Sequence, residues 1–187
     1  MVDKKQKICL TGPPKSGKTT LLKLAKNKGF QTFSCDDVAH QIKAGDKSVV
    51  KSIEAKYTQK KVYKNRGKKP TFGVKTADFL HEMEQFLHPL IQGKLRQWIE
   101  ENSNEKRLLV EVPLVFEVQW QNMFDEIWFV DLMDSDREKR NHPSDKWPEE
   151  LKTAILNRHL PTDQKKKLSD RVITTREQFL KLLLNDL

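Results

Sequence analysis

Gly12-Pro13-Pro14-Lys15-Ser16-Gly17-Lys18-Thr19 satisfies, without a mismatch, the spacing glycine, four residues, glycine, lysine, serine or threonine. A loop of that kind turns its backbone N–H groups inward around a polyphosphate, and the helix that follows adds its positive end. Lys18 supplies a mobile cation for the β- and γ-phosphates, and the Thr19 hydroxyl supplies a hard oxygen for Mg2+. The chemistry implied is the binding of ATP, and phosphoryl transfer if a carboxylate stands nearby. Asp36 and Asp37 are the candidates. Asp36 could orient or deprotonate an acceptor hydroxyl and help hold the metal. The competing reading is a helix N-cap, which favours Asp for structural reasons alone. Beside a P-loop, catalysis is the preferred reading for Asp36.

Other charged groups carry weaker signals. Arg137, Lys139, Arg140, His142 and Lys146 fall between two expected elements, where cations could neutralise a transferring phosphoryl group; Arg140 is the one chosen. His88 precedes Pro89 inside a helical pattern, where a lone histidine reads first as a packing residue at a kink. Lys60 to Lys69 is a lysine-rich run whose default is a solvated loop, because it lacks the dense aromatic interleaving of a single-stranded nucleic-acid platform. The two cysteines and five histidines show no zinc-type pairing, and no G-x-S-x-G element is present.

Elements must then place these groups together. Lys7 to Thr11 reads as a strand, Thr19 to Lys28 as a helix stopped by Gly29, Phe30 to Cys35 as a strand, and Asp36 or Asp37 to Lys43 as a helix. Helices are expected over 46–57 and 76–102, the latter kinked or divided at Pro89, with a basic loop over 58–73. Apolar runs at 107–112 and 127–132 fit strands covered on both faces. Helices at 135–140, 147–159 and 162–167, a strand at 171–174 and a helix at 176–185 complete the pattern.

Strands alternating with helices imply an α/β three-layer fold around a parallel sheet of about five strands. Ligands in such sheets bind beyond the carboxyl ends of the strands, so the P-loop, Asp36, Pro113 to Glu117 and Asp131 should share one rim. The 187 residues suit one domain, with a mainly helical substrate-binding insertion over 46–101 and a lid region over 134–158.

The chain is 36% hydrophobic and 33% charged, with a formal net charge of +9. That is polar for a globular chain, but its clusters of Leu, Ile, Val and Phe exclude a disordered one, and the net charge suits anionic ligands without selecting among them. No run is long enough for a signal-peptide core or a membrane span, so a membrane partner is not expected. Cys9 and Cys35 are read as reduced, buried small hydrophobes, and the cytoplasm as the compartment. No pattern specifies an oligomeric state.

Several blocks together resemble the dephospho-coenzyme A kinase family. They are the P-loop with Leu10-Thr11, Cys35-Asp36-Asp37-Val38-Ala39-His40, Leu87-His88-Pro89-Leu90-Ile91, Val112-Pro113-Leu114-Val115-Phe116-Glu117 and Ser169-Asp170-Arg171-Val172-Ile173. The resemblance implies a P-loop nucleotide-kinase fold and transfer of the ATP γ-phosphoryl to the ribose 3′-hydroxyl of dephospho-CoA. It implies Asp36 as the base, and Gly12 with Pro14, Lys15, Ser16, Gly17, Lys18, Thr19 and Thr20 as the nucleotide cradle. Thr19 and Asp36 would hold Mg2+. His88, Pro89, Pro113, Leu114 and Glu117 would line the acceptor pocket, and Arg140 would begin the lid. The chain departs from the family where Pro13 replaces a glycine-rich position and where Ser34-Cys35-Asp36 replaces Asp-Ala-Asp. Two other readings stay open on the residues alone: a diverged kinase for another nucleoside or cofactor, and a nucleic-acid-binding P-loop ATPase.

Overall fold

The apolar runs sort onto the two faces of a single sheet. A computed structural model describes residues 5–59, 77–132, 153 and 159–184. Five parallel strands, β1 (Gln6–Thr11), β2 (Gln31–Ser34), β3 (Arg107–Glu111), β4 (Glu126–Val130) and β5 (Arg171–Ile173), lie in the order β2-β3-β1-β4-β5. β1 is central, with Gln6 opposite Arg107 of β3 and Ile8 opposite Glu126 of β4.

Alternation along the strands builds two cores. Cys9, Phe33, Val110 and Ile127 point to one face, where they pack with helices α2 (Cys35–Gly45), α3 (Lys47–Gln59) and α4 (Ala77–Glu101). Ile8, Leu10, Leu109, Trp128 and Val130 point to the other, against α1 (Lys18–Asn27) and α6 (Arg176–Leu184). Both faces are therefore covered, as continuous apolar strands require. A seven-residue helix, α5 (Thr162–Leu168), precedes β5. A 3-10 turn, Gln121–Met123, which the apolar pattern did not signal, sits before β4.

Among the described residues, the expected strands and helices form within two residues of their expected bounds. Pro89 does not divide α4, which runs through it and buries Met83, Leu87, Ile91 and Leu95 in one stripe. Four-residue spacing keeps these on one face, and their burial holds the helix together across the missing N–H donor. Of the basic loop expected over 58–73, Thr58 and Gln59 belong to α3 and the rest lies outside the described residues, as do Arg140 and the helices expected over 135–140 and 147–159 apart from Thr153 and His159. Among the described residues no helix is long and apolar enough to cross a membrane. Cys9 and Cys35 are free and buried.

Candidate active site

The nucleotide end begins where β1 stops. Gly12 has φ +144, and a side-chain carbon there would stand 2.4 Å from the Val130 carbonyl oxygen. Gly17, the N-cap of α1, has φ +99, and a Cβ would stand 2.5 Å from Leu132 Cδ1. Both positions therefore need glycine for conformation and for space. The Leu132 N–H donates to the Ser16 carbonyl at 3.2 Å, so the loop is seated on the end of β4. Lys18 Nζ donates to the Gly12 and Pro13 carbonyls at 3.0 and 2.9 Å, which holds the cation over the loop mouth. Pro13 thus contributes its carbonyl, a role that does not depend on the glycine found there in the resembling family.

A carboxylate that sequence reasoning did not select completes this end. Glu111, the last residue of β3, is buried and accepts hydrogen bonds from Thr19 Oγ1 at 3.2 Å and Ser34 Oγ at 3.1 Å. Burial holds its carboxyl above the usual range; Lys18 opposes that, and Asp36 adds to it. Its signal in the sequence was slight: a single acid closing the otherwise apolar run that follows Arg107.

Asp36 lies in the first turn of α2 and is exposed on the cavity wall. The N-cap is Ser34, whose Oγ accepts the Asp37 N–H at 3.3 Å. The capping explanation for Asp36 is thereby removed. Burial, and then the charges of Asp36 and Glu111, push the Cys35 thiol well above its ordinary value. Asp36 and Glu111 thus share that corner of the cavity with Lys18.

Thr19, Asp36 and Glu111 offer hard oxygens of the kind Mg2+ prefers, and Mg2+ commonly keeps several ligands from water and phosphate. Ser16 Oγ is buried in the loop without a hydrogen-bond partner among the described residues, as a phosphate cradle would leave it.

One cavity of about 1000 Å³ joins this corner to a second end. That volume stands at the upper end of the range for ligand pockets, about 300–1,000 Å³. Its lining also includes His88, Leu114, Trp120, His159 and Lys165. His88 meets Trp120 edge to face, with ring centroids 6.2 Å apart. An annex of about 310 Å³ adjoins there, lined by His81, Glu84, Gln85, His159 and Glu117 among others.

The structure therefore brings the P-loop from Gly12 to Thr20, Asp36, His88, Pro113 and Leu114 to one cavity. Glu117 reaches only the annex, and Pro89 is exposed and takes no part in either wall. Lys165 and His159 were missed, because nothing in their local sequence marks them.

Comparison with known proteins fits this geometry. The family model for dephospho-CoA kinase matches residues 6–180. The chain belongs to the dephospho-CoA kinase family. It is 28% identical over 183 residues to the dephospho-CoA kinase of Hydrogenovibrio crunogenus, covering 95% of this chain and 92% of that one. The structure of dephospho-CoA kinase from Campylobacter jejuni has the same fold, with a TM-score of 0.61 at 23% identity over 96% of both chains. Shikimate kinase from Acinetobacter baumannii shares the architecture more distantly, with a TM-score of 0.51 at 14% identity, covering 98% of this chain and 96% of that one. This family member is accordingly a nucleotide-using phosphotransferase of P-loop kinase fold.

Proposed function

We propose that this chain transfers the γ-phosphoryl group of ATP to the ribose 3′-hydroxyl of dephospho-CoA, giving CoA. The observation that carries the reading is the single cavity whose wall holds the P-loop, Asp36 and His88 together. The loop N–H groups and Lys18 bind the β- and γ-phosphates, and Lys18 leaves the Gly12 and Pro13 carbonyls to do so. Thr19 and Asp36 are the residues that would hold Mg2+, with Glu111 orienting the Thr19 hydroxyl. Mg2+, when bound, neutralises charge on the β- and γ-phosphate oxygens.

Asp36 accepts the proton of the attacking 3′-hydroxyl and aims its oxygen at the γ-phosphorus. His88, Pro113 and Leu114 form the acceptor wall, carried by α4, within the helical part over 46–101, and by the turn after β3. Arg140, at the start of the proposed lid over 134–158, balances charge on the transferring group. The reaction runs in the cytoplasm, a compartment in which Cys9 and Cys35 stay reduced.

Incubation with magnesium ATP and dephospho-CoA should yield CoA, seen by mass spectrometry as a phosphorylated acceptor. Binding of ATP with no mass change on dephospho-CoA would show that the acceptor is another molecule.

A further inference from the structure

Nothing in the chemistry above uses Lys165, yet it is the cation that closes the acceptor wall. It lies on α5, with its side chain only 8% exposed, and its Nζ stands 2.5 Å from Glu117 Oε1; Glu117 is 12% exposed. The same Oε1 accepts the Leu160 N–H at 3.1 Å. Lys165 Nζ also reaches the Pro113 carbonyl at 3.5 Å, a carbonyl that accepts the Thr11 hydroxyl at 3.1 Å. The neighbouring Lys166 pairs with Asp131 at 2.8 Å, just past β4. α5 is thus fixed to the sheet on one side, and Lys165 ties it to the turn after β3 on the other.

We propose that Lys165 and Glu117 are positioning residues that hold the two acceptor walls, 113–118 and 159–162, at a fixed separation. Lys165 lines the large cavity and Glu117 lines the adjoining annex, so the ion pair reaches both spaces. Leu114 and Val118 come from one tied segment, and Leu160, Pro161 and Thr162 from the other; all five face the cavity.

A buried ion pair gives little or no net stability relative to apolar side chains of similar size, because desolvation offsets the attraction. Its distinct contribution here is geometric: one carboxylate oxygen receives both the ammonium and a backbone N–H, which fixes where the 159–162 segment runs. Glu117 therefore acts on the acceptor through Lys165 and Leu160.

The inference rests on the proposed acceptor, and its test separates the two. KM for ATP and for dephospho-CoA should be measured in wild type, Lys165→Met, Lys165→Arg and the apolar double variant Lys165→Met/Glu117→Leu. Amide hydrogen exchange over 159–165 should be followed in the same proteins. The double variant removes both charges and leaves neither buried without its partner, so it should fold even if Lys165→Met alone does not.

The expected result is a rise in KM for dephospho-CoA of roughly tenfold or more from misplaced walls. KM for ATP should stay within about twofold, and Lys165→Arg should restore most of the acceptor affinity, since a guanidinium can keep the charge-assisted hydrogen bond. Exchange over 159–165 should speed up while that of α1 is unchanged. An unchanged acceptor KM, an equal rise in both KM values, or unaltered exchange over 159–165 would each overturn the proposal. Absence of wild-type turnover with dephospho-CoA would count against the acceptor instead, and the exchange measurement would still judge the pair.

Discussion

The two ends of the cavity are built on different principles. At the nucleotide end the binding groups are backbone atoms of one short segment, seated by Gly12 and Gly17 against Val130 and Leu132. At the end proposed for the acceptor, the lining is side chains from α4, the turn after β3 and the entry to α5, held by a ring contact and a buried ion pair. Backbone cradles suit a polyphosphate whatever carries it, whereas a wall assembled from distant side chains can be altered one residue at a time. On the proposed reaction, substrate choice would reside at the second end and the energy of phosphate binding at the first.

The sharpest way to divide the two is Asp36→Asn. It should lower kcat by roughly a thousandfold through loss of the base, while ATP affinity, read by calorimetry, stays near wild type. Loss of ATP binding as well would place Asp36 in the nucleotide end alone.

Glu111→Gln should come next, with kcat reduced roughly 10- to 100-fold because Thr19 loses its orienting partner. The same change should stabilise the protein. A carboxyl held above its ordinary value of 4.5 binds its proton more tightly when folded than unfolded. Its contribution to stability is therefore full below pH 4.5 and declines as pH rises through the folded value. Wild type should lose stability over that window, and Glu111→Gln should lose less, giving a higher Tm at pH 7. A lower Tm would mean that the hydrogen bonds from Ser34 and Thr19 outweigh the desolvation of the charge.

Gly17→Ala tests the backbone cradle. The positive φ and the contact with Leu132 should cost about 1–3 kcal/mol, visible in chemical denaturation and as weaker ATP binding. His88→Ala tests the opposite end: loss of the edge-to-face contact with Trp120, worth about 1 kcal/mol, should raise KM for dephospho-CoA severalfold with little change for ATP. The smallest effect is expected away from both ends. Arg171, 43% exposed, pairs with Glu126 at 2.8 Å, and Arg171→Ala should cost under about 1 kcal/mol and leave both KM values unchanged.

The sequence made one end far more legible than the other, for a physical reason. The P-loop is local: its fixed spacing encodes its own turn, its cap and its ligand, so Gly12 to Thr19 could be read directly. The five strands were equally plain, because burial on both faces leaves unbroken apolar runs such as Leu108-Leu109-Val110. Glu111 escaped notice because an acid ending a strand meets Thr19 and Ser34 only once β3 lies between β1 and β2.

The acceptor end depends on contacts that no local pattern encodes. Leu160 and Glu117 meet across 43 residues, and Lys165 looks like one of three consecutive lysines on a solvated helix until the fold buries it. Pro89 was drawn toward the site with its neighbour His88. The helix turns about 100° per residue, so adjacent positions point in different directions, and only His88 reaches the cavity.

The strand order also governs when the protein can first hold its nucleotide during synthesis. β1 is made early, but its neighbours begin at Arg107 and Glu126, and Gly12 and Gly17 find their seats only on Val130 and Leu132. At translation rates of roughly 5–20 residues per second, the P-loop segment waits on the order of ten seconds for that support. Until β4 clears the ribosome, the nascent chain carries the complete phosphate-binding motif without the surface that shapes it.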